Sequence, residues 1–368
     1  MNSDTFNPKG GLDNFGNNCY LNTILQCLRY SKSMYSMFED NEEDRNLLMK
    51  IKEIEQENTN PQKELQLRID RLYVYFNLKK LLYLLYNNDS SQSPQGFIQA
   101  CLKLSKHSGC QYLFREQNDI SELVVFLLDA IHEAKLHKRP MNISIDEKDI
   151  KGKEQLLKYN SFTEYKKIYE NSYSWLIKEF YFMVMNNVNC VKCDNKLFNY
   201  TPHSILCLPI PDEDGSKTTI YDCMNNFFAK EIFDTDNQWK CEKCENKEDN
   251  FKLYRMMDTP NTLIISFKRY EQMADGNVKK INRNIDFPLN LDISPYKFGR
   301  DKSGCDYKLF AVGNHVGQMT FGHCFAFCRN LEKNPDVWFC YNDTNVSKLT
   351  NSDPVFSNRA YLLMYQKV

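Results

Sequence analysis

The chain has 368 residues, 42% hydrophobic and 26% charged, with a formal net charge of −1 at pH 7. That apolar mass is enough for a real core, and the near-zero balance gives no global field of the kind that draws a protein onto nucleic acid or a membrane surface. No apolar run reaches the length of a membrane span, and the N-terminus, Met1-Asn2-Ser3-Asp4-Thr5, has neither a basic nor an apolar leader. An intracellular, reducing location, cytoplasmic or nuclear, is therefore expected. In such a compartment the 14 cysteines read as metal ligands, catalytic groups or buried side chains rather than a disulfide framework.

The first strong pattern is residues 11–28. Leu21, Ile24, Leu25 and Leu28 recur at helical spacing and predict a helix headed by Cys19. Asn14, Gly16, Asn17 and Asn18 just before it suit a turn. A thiol in that place meets unpaired N–H groups and the positive end of the helix dipole, both of which favour the thiolate. An ordinary buried cysteine beside an N-cap fits the pattern equally well. Further along, the charged residues 39–68 read as a solvated helix or an insertion, residues 72–86 as an aromatic, leucine-rich helix, and residues 97–104 as a short helix after a turn at 90–94. Residues 119–133 predict an amphipathic helix with Asp119 as N-cap and Glu122 at the capping-box position. Residues 135–178 read as helix with a loop. From about Phe180 the pattern turns to short aromatic and β-branched runs at 181–188, 204–209, 262–267, 307–312, 324–329, 337–341 and 361–365, which predict strands. Helices first and a sheet afterwards predict an α+β fold.

Two groups of residues carry chemistry. Cys190-Val-Lys-Cys193 and Cys241-Glu-Lys-Cys244 are separated by residues 194–240. Each offers two sulfurs at the tip of a turn, and two tips complete a tetrahedral four-cysteine set suited to structural Zn²⁺, with no open position for catalysis. A single such pair could be a redox couple; two with matched charged interiors favour zinc. Among the six histidines, His107, His132, His137 and His203 show no convergent polar pattern. His315 and His323 lie in a β-rich segment followed by Trp338-Phe339-Cys340-Tyr341-Asn342-Asp343. A histidine at the start of one strand and an Asn or Asp at the end of the next supply a base and its orienter for a cysteine nucleophile. A histidine satisfied by a backbone carbonyl is the commoner use of that arrangement.

Taken together these blocks resemble the catalytic domain of the ubiquitin-specific protease family, the papain-like deubiquitinases. Residues 11–28 are similar to its cysteine box, and Gln117-Asn118-Asp119-Ile120-Ser121-Glu122-Leu123 to its Gln-Gln-Asp-Ala-x-Glu-Phe segment. The two CxxC pairs match its fingers, residues 260–270 its strand ending in Leu-Lys-Arg-Phe, residues 307–343 its histidine box and residues 360–365 its closing strand. The blocks stand in family order across nearly the whole chain. The resemblance implies one catalytic domain over residues 1–368: a helical thumb at about 1–175, β fingers with a four-cysteine zinc site plus palm strands at 176–260, and a β-rich palm at 261–368. It implies a monomer that grips ubiquitin and threads its tail between thumb and palm, with no nucleic-acid partner. Cys19 would be the nucleophile, His323 rather than His315 the general base, and Asn14 an oxyanion donor together with the Cys19 N–H. Asn342 would be the third triad member, and Asp343 a supporting residue that orders the oxyanion water or the histidine. The implied activity is cysteine-type hydrolysis of the bond between the ubiquitin C-terminal glycine and lysine amines. The alternatives are a catalytically silent ubiquitin-binding scaffold or a protease for a ubiquitin-like modifier. The chain departs from the pattern at Asn18 (usually Thr), Cys324 (usually Tyr), Asn118, Ile120 and Leu123, and has Phe182 near a position that is commonly Gly.

Overall fold

Every residue of the helix headed by Cys19 is buried, which fixes where the centre of the molecule lies. The computed structural model describes residues 8–38, 41–57, 62–109, 118–144, 147–211, 217–233, 237–247, 249–273, 276–318 and 322–368; Gln117 of the segment singled out above lies outside them. The helices in chain order are α1 (Cys19–Arg29), α2 (Asn41–Glu57), α3 (Lys63–Asn87), α4 (Gln95–Ser108), α5 (Ile120–Ala134), α6 (Lys153–Tyr169), α7 (Leu176–Phe180) and α8 (Ile220–Phe228). In α5 the Asp119 carboxylate accepts from Ser121 N and Glu122 N, capping the helix as expected. Its apolar stripe, including Leu123, Leu127 and Ile131, is buried in a cluster shared with α1 and α3.

The charged stretch 39–68 is not simply solvated. Its described residues, 41–57 and 62–68, form α2 and the start of α3, and Asp44 of α2 is buried. Its carboxylate pairs with Lys79 at 2.5 Å and Lys135 at 3.0 Å, and Tyr75 Oη donates to it at 3.1 Å. A buried carboxylate persists because it is paired and hydrogen-bonded, and this one ties α2 to α3 and to the end of α5.

The main sheet has eight strands. Its order runs Asn345–Lys348, Trp338–Asn342, Gly322–Arg329, Asp306–Gly317, Ala360–Lys367, Thr262–Lys268 and Leu206–Pro209, with Asn290–Asp292 also pairing to Asp306–Gly317. All pairs are antiparallel except that of Leu206–Pro209 with Thr262–Lys268. Strand alternation divides its side chains between two cores. Ile264, Leu362, Met364, Ala326 and Cys328 face the α1–α5 cluster, while Ile265, Leu363, Tyr365, Phe325 and Phe327 face a second cluster that includes α8. Both faces are covered, so these strands read as continuous apolar runs, which is why sequence located them.

A separate four-stranded sheet runs Lys196–His203, Phe182–Asn189, Phe251–Met256, Glu231–Ile232. Of these, only Phe182–Asn189 is among the strands expected from the sequence. Lys196–His203 is exposed or half-buried along its whole length, so no fully buried apolar face marks it in the sequence. Helix α8 was also missed, although Thr219 and Asp222 form a full capping box at its start.

Candidate active site and cysteine cluster

Asn18 occupies the N-cap of α1 but gives no side-chain bond to the helix N–H groups. Its amide bridges the preceding turn and the helix side chain Asn22 instead: Oδ1 accepts from Phe15 N at 2.7 Å, and Nδ2 donates to Asp13 O and Asn22 Oδ1, each at 3.1 Å. The turn is thereby locked, while the helix N-terminus keeps its positive end toward Cys19.

Cys19 faces the start of the strand Gly322–Arg329. Its pKa is lowered to about 6, chiefly by hydrogen bonds from the Cys324 thiol and then its backbone N–H, with the His323 charge adding to the effect, against burial and the Asp343 carboxylate. For His323, burial would lower the pKa, but the hydrogen bond to Asn342, the Cys19 and Asp343 charges and a hydrogen bond with Cys19 together raise it. His323 Nε2 lies 2.6 Å from Asn342 Oδ1. An amide oxygen only accepts, so Nε2 carries a proton and Nδ1 is the nitrogen left for the thiol. Each group favours the charged form of the other, the condition for a thiolate–imidazolium pair.

The choice between Asn342 and Asp343 follows from alternation. Asn342 shares a strand face with His323, on a diagonal of the antiparallel pair that sets Ala326 opposite Tyr341. Asp343, next in the chain, has φ of 53° and turns toward α1. Its Oδ2 accepts from Asn14 Nδ2 and its Oδ1 from Asn22 Nδ2, both at 2.8 Å, while its carbonyl accepts from Leu12 N at 2.9 Å. Asn14 is also fixed from the other side, since its Oδ1 accepts from Gly16 N at 2.9 Å. A Cβ on Gly11 would lie 2.8 Å from Asp343 O and 2.7 Å from Thr344 O, so this close crossing of two backbones requires glycine.

His315 is otherwise engaged. Lys280 Nζ donates to its Nδ1 at 2.8 Å and the Tyr270 hydroxyl lies 3.2 Å away. Burial first, and then the Lys280 charge, lower its pKa to about 4, so it is neutral. Its ring packs over Gly322, where an added Cβ would come within 2.1 Å of Nε2.

The two CxxC segments meet at the tips of the four-stranded sheet and are built alike. Cys190 N donates to Asn195 O and Cys241 N to Asn246 O, each at 2.9 Å. Asp194 and Glu245, each one past the second cysteine, adopt the left-handed φ values of 53° and 56°. The four sulfurs lie within 4.8 Å of one another, with Cys190 to Cys244 at 3.5 Å and Cys193 to Cys241 at 3.7 Å. Tetrahedral Zn²⁺ with bonds of about 2.3 Å holds its sulfurs about 3.8 Å apart, so the donor set fits a metal ion.

Sequence reasoning missed two participants. Asn22, buried in α1 along with Thr23, Gln26 and Arg29, carried a readable signal: a polar side chain inside a core helix needs partners. Cys324 was noticed only as lost aromatic surface, whereas the structure makes it a donor to Cys19.

A cysteine heading a buried helix, opposite a histidine on a central sheet and between helical and β lobes, is the architecture of the papain-like cysteine hydrolases. The chain belongs to the ubiquitin carboxyl-terminal hydrolase family, whose model matches residues 10–365. It is 25% identical over 390 residues to ubiquitin carboxyl-terminal hydrolase 4 of Saccharomyces cerevisiae, covering 97% of this chain and 39% of that protein. It is 31% identical over 271 residues to a probable ubiquitin carboxyl-terminal hydrolase of Acanthamoeba polyphaga mimivirus, covering 72% of this chain and 55% of the other. The chain thus spans about two fifths to one half of the length of these curated relatives. In structure it is similar to Ubp8 in the SAGA DUB module bound to monoubiquitin, with TM-score 0.69 and 22% identity over 98% of this chain and 69% of that one. The same module bound to ubiquitin aldehyde gives TM-score 0.67 and 21% identity over 100% and 71%.

Proposed function

We propose that this chain is a thiol-dependent deubiquitinase, an isopeptidase acting through an acyl-enzyme on Cys19. The observation that carries the reading is the joined set Cys19–His323–Asn342, in which each charge supports the other. The Cys19 thiolate attacks the carbonyl of the ubiquitin C-terminal glycine. Asn14 Nδ2, held by Asp343, and the Cys19 N–H donate to the oxyanion of the tetrahedral intermediate. His323, oriented by Asn342, gives its Nδ1 proton to the leaving lysine amine, and then takes one from the water that releases the acyl group. A silent ubiquitin-binding scaffold has no need of a depressed thiol facing an oriented histidine.

The helices α1–α7 act as thumb, the four-stranded sheet with its cysteine cluster as fingers and the eight-stranded sheet as palm, with ubiquitin, free or in chains, as the partner. Cys190, Cys193, Cys241 and Cys244 would hold Zn²⁺, which supplies a rigid clip between the two finger tips and no reacting group. Ubiquitin with a fluorophore on its C-terminal carboxyl tests the reading. The wild-type chain hydrolyses it and Cys19→Ala does not; equal rates from both would refute the assignment, and turnover of a ubiquitin-like conjugate alone would refute the modifier.

A further inference from the structure

Helix α1 and the strand Gly322–Arg329 run side by side, and thiols face each other at two levels. All four lie in the core cluster between helix and sheet, where Cys19 interacts with Cys324 and Cys27 with Cys328. The spacings agree independently: Cys19 to Cys27 is about 12 Å of helix rise, and Cys324 to Cys328 about 13 Å of strand rise. Cys324, Ala326 and Cys328 are the strand residues that join the α1 cluster, whereas Phe325 and Phe327 join the other core. Thr23, between the two helix cysteines, packs with its methyl toward Gly313 of the neighbouring strand. The inner pair, Cys27 and Cys328, is wholly buried, while Cys19 and Cys324 keep 3% and 5% of their surface exposed.

We propose that Cys324 is the resolving thiol of Cys19, so that peroxide converts the pair into a reversible Cys19–Cys324 disulfide. The proposal rests on the reading of Cys19 as the reactive thiolate. In the first step the Cys19 thiolate attacks one peroxide oxygen; the O–O bond breaks, hydroxide leaves and Cys19 becomes a sulfenic acid. In the second, Cys324 attacks the Cys19 sulfur; the S–O bond breaks, and water leaves with the Cys324 proton. Peroxide is the two-electron oxidant, and a thiol reductant restores both cysteines by exchange.

The facing geometry also controls the order of events. While Cys19 is a thiolate, the hydrogen bond that Cys324 donates to it is the main cause holding the Cys324 proton in place, followed by burial. A neutral sulfenic acid removes the first of these causes and leaves burial, so the Cys324 proton is held less tightly once Cys19 has been oxidised. Condensation then competes with further oxidation to the irreversible sulfinic acid. The inner pair has no exposed surface, which makes that pair the internal control.

The test uses the full chain treated with hydrogen peroxide, alkylated, digested without reduction and read by mass spectrometry, with parallel samples returned to dithiothreitol and assayed. A Cys19–Cys324 cross-linked peptide two hydrogens lighter than its parts is expected, with most activity recovered on reduction. Cys324→Ala and the more conservative Cys324→Ser, each scaled to its own untreated rate, should recover at least about threefold less and accumulate Cys19 sulfinate. Cys328→Ala should recover as the wild type does. Sulfinate on wild-type Cys19 without the cross-linked peptide, or equal recovery by the Cys324 variants, overturns the proposal. Labelling of untreated Cys19 by a ubiquitin probe reads the nucleophile assignment separately: a labelled Cys19 that never cross-links defeats only the disulfide.

Discussion

Replacing Asp343 with alanine removes the carboxylate that accepts from Asn14 and Asn22, each at 2.8 Å. Hydrogen bonds to a charged acceptor contribute about 1.5–3 kcal/mol when sheltered. The Asn14 bond is exposed, and Asn22 keeps Asp13 O at 3.2 Å, so the expected loss of stability is only about 1–2 kcal/mol. The effect on turnover is larger. Without Asp343, Asn14 is held only through its Oδ1, and its donor loses direction. The ceiling is the loss of one oxyanion donor, about 2.7–4 kcal/mol or 10²–10³ in kcat, with KM little changed. Asp343 raises the Cys19 pKa, so its removal leaves the thiol more ionised, and a rate loss cannot be blamed on a protonated nucleophile. Steady-state hydrolysis of the ubiquitin–fluorophore conjugate by Asp343→Ala, Asn14→Ala and the double variant separates the contributions. If Asp343 acts through Asn14, the double variant is no slower than Asn14→Ala. Fully additive losses, or an Asp343→Ala rate within about twofold of wild type, would refute this reasoning.

The pH profile of kcat/KM should rise with unit slope to about 6, where Cys19 ionises, and fall only above the ordinary histidine value of about 6.5. The direction follows from the signs: a lowered thiol pKa makes the thiolate available from lower pH, and a raised imidazole pKa keeps the acid available to higher pH. Asn342→Ala, which removes a bond that raises the His323 pKa, should move the alkaline limb to lower pH and leave the acid limb nearly in place; stopped-flow profiles check both. Cys241→Ser should lower bound zinc by elemental analysis and raise KM for the conjugate several-fold, with iodoacetamide reactivity of Cys19 unchanged. Gly11→Ala sets a methyl against two backbone carbonyls, and overpacking of that kind costs about 1–3 kcal/mol, visible as a lower Tm together with a lower kcat.

What could be read from sequence divides along physical lines. Helix α5 announced itself because Asp119 caps it and its stripe is strictly amphipathic, and the central strands because both their faces are buried. The Lys196–His203 and Phe251–Met256 strands lack a fully buried face, so their pairing is set by the neighbouring backbone rather than by side-chain pattern. At the site, the four clustered cysteines stand out by residue type and spacing, whereas Cys19 and His323 stand out only through the resemblance of their segments to the family pattern. The division of labour between Asn342 and Asp343 does not, because it depends on a register and on one left-handed φ at Asp343. The contact between Cys19 and Cys324 joins residues from opposite ends of the sequence, and only the packing of α1 on the sheet brings it about.

The most direct test is a ubiquitin molecule whose C-terminus carries a thiol-reactive electrophile, incubated with the chain and mapped by peptide mass spectrometry. The account predicts a single adduct on Cys19, formed much more slowly by His323→Ala and absent in Cys19→Ala. An adduct on another cysteine, or none on a folded chain with its four-cysteine cluster metal-loaded, would contradict it.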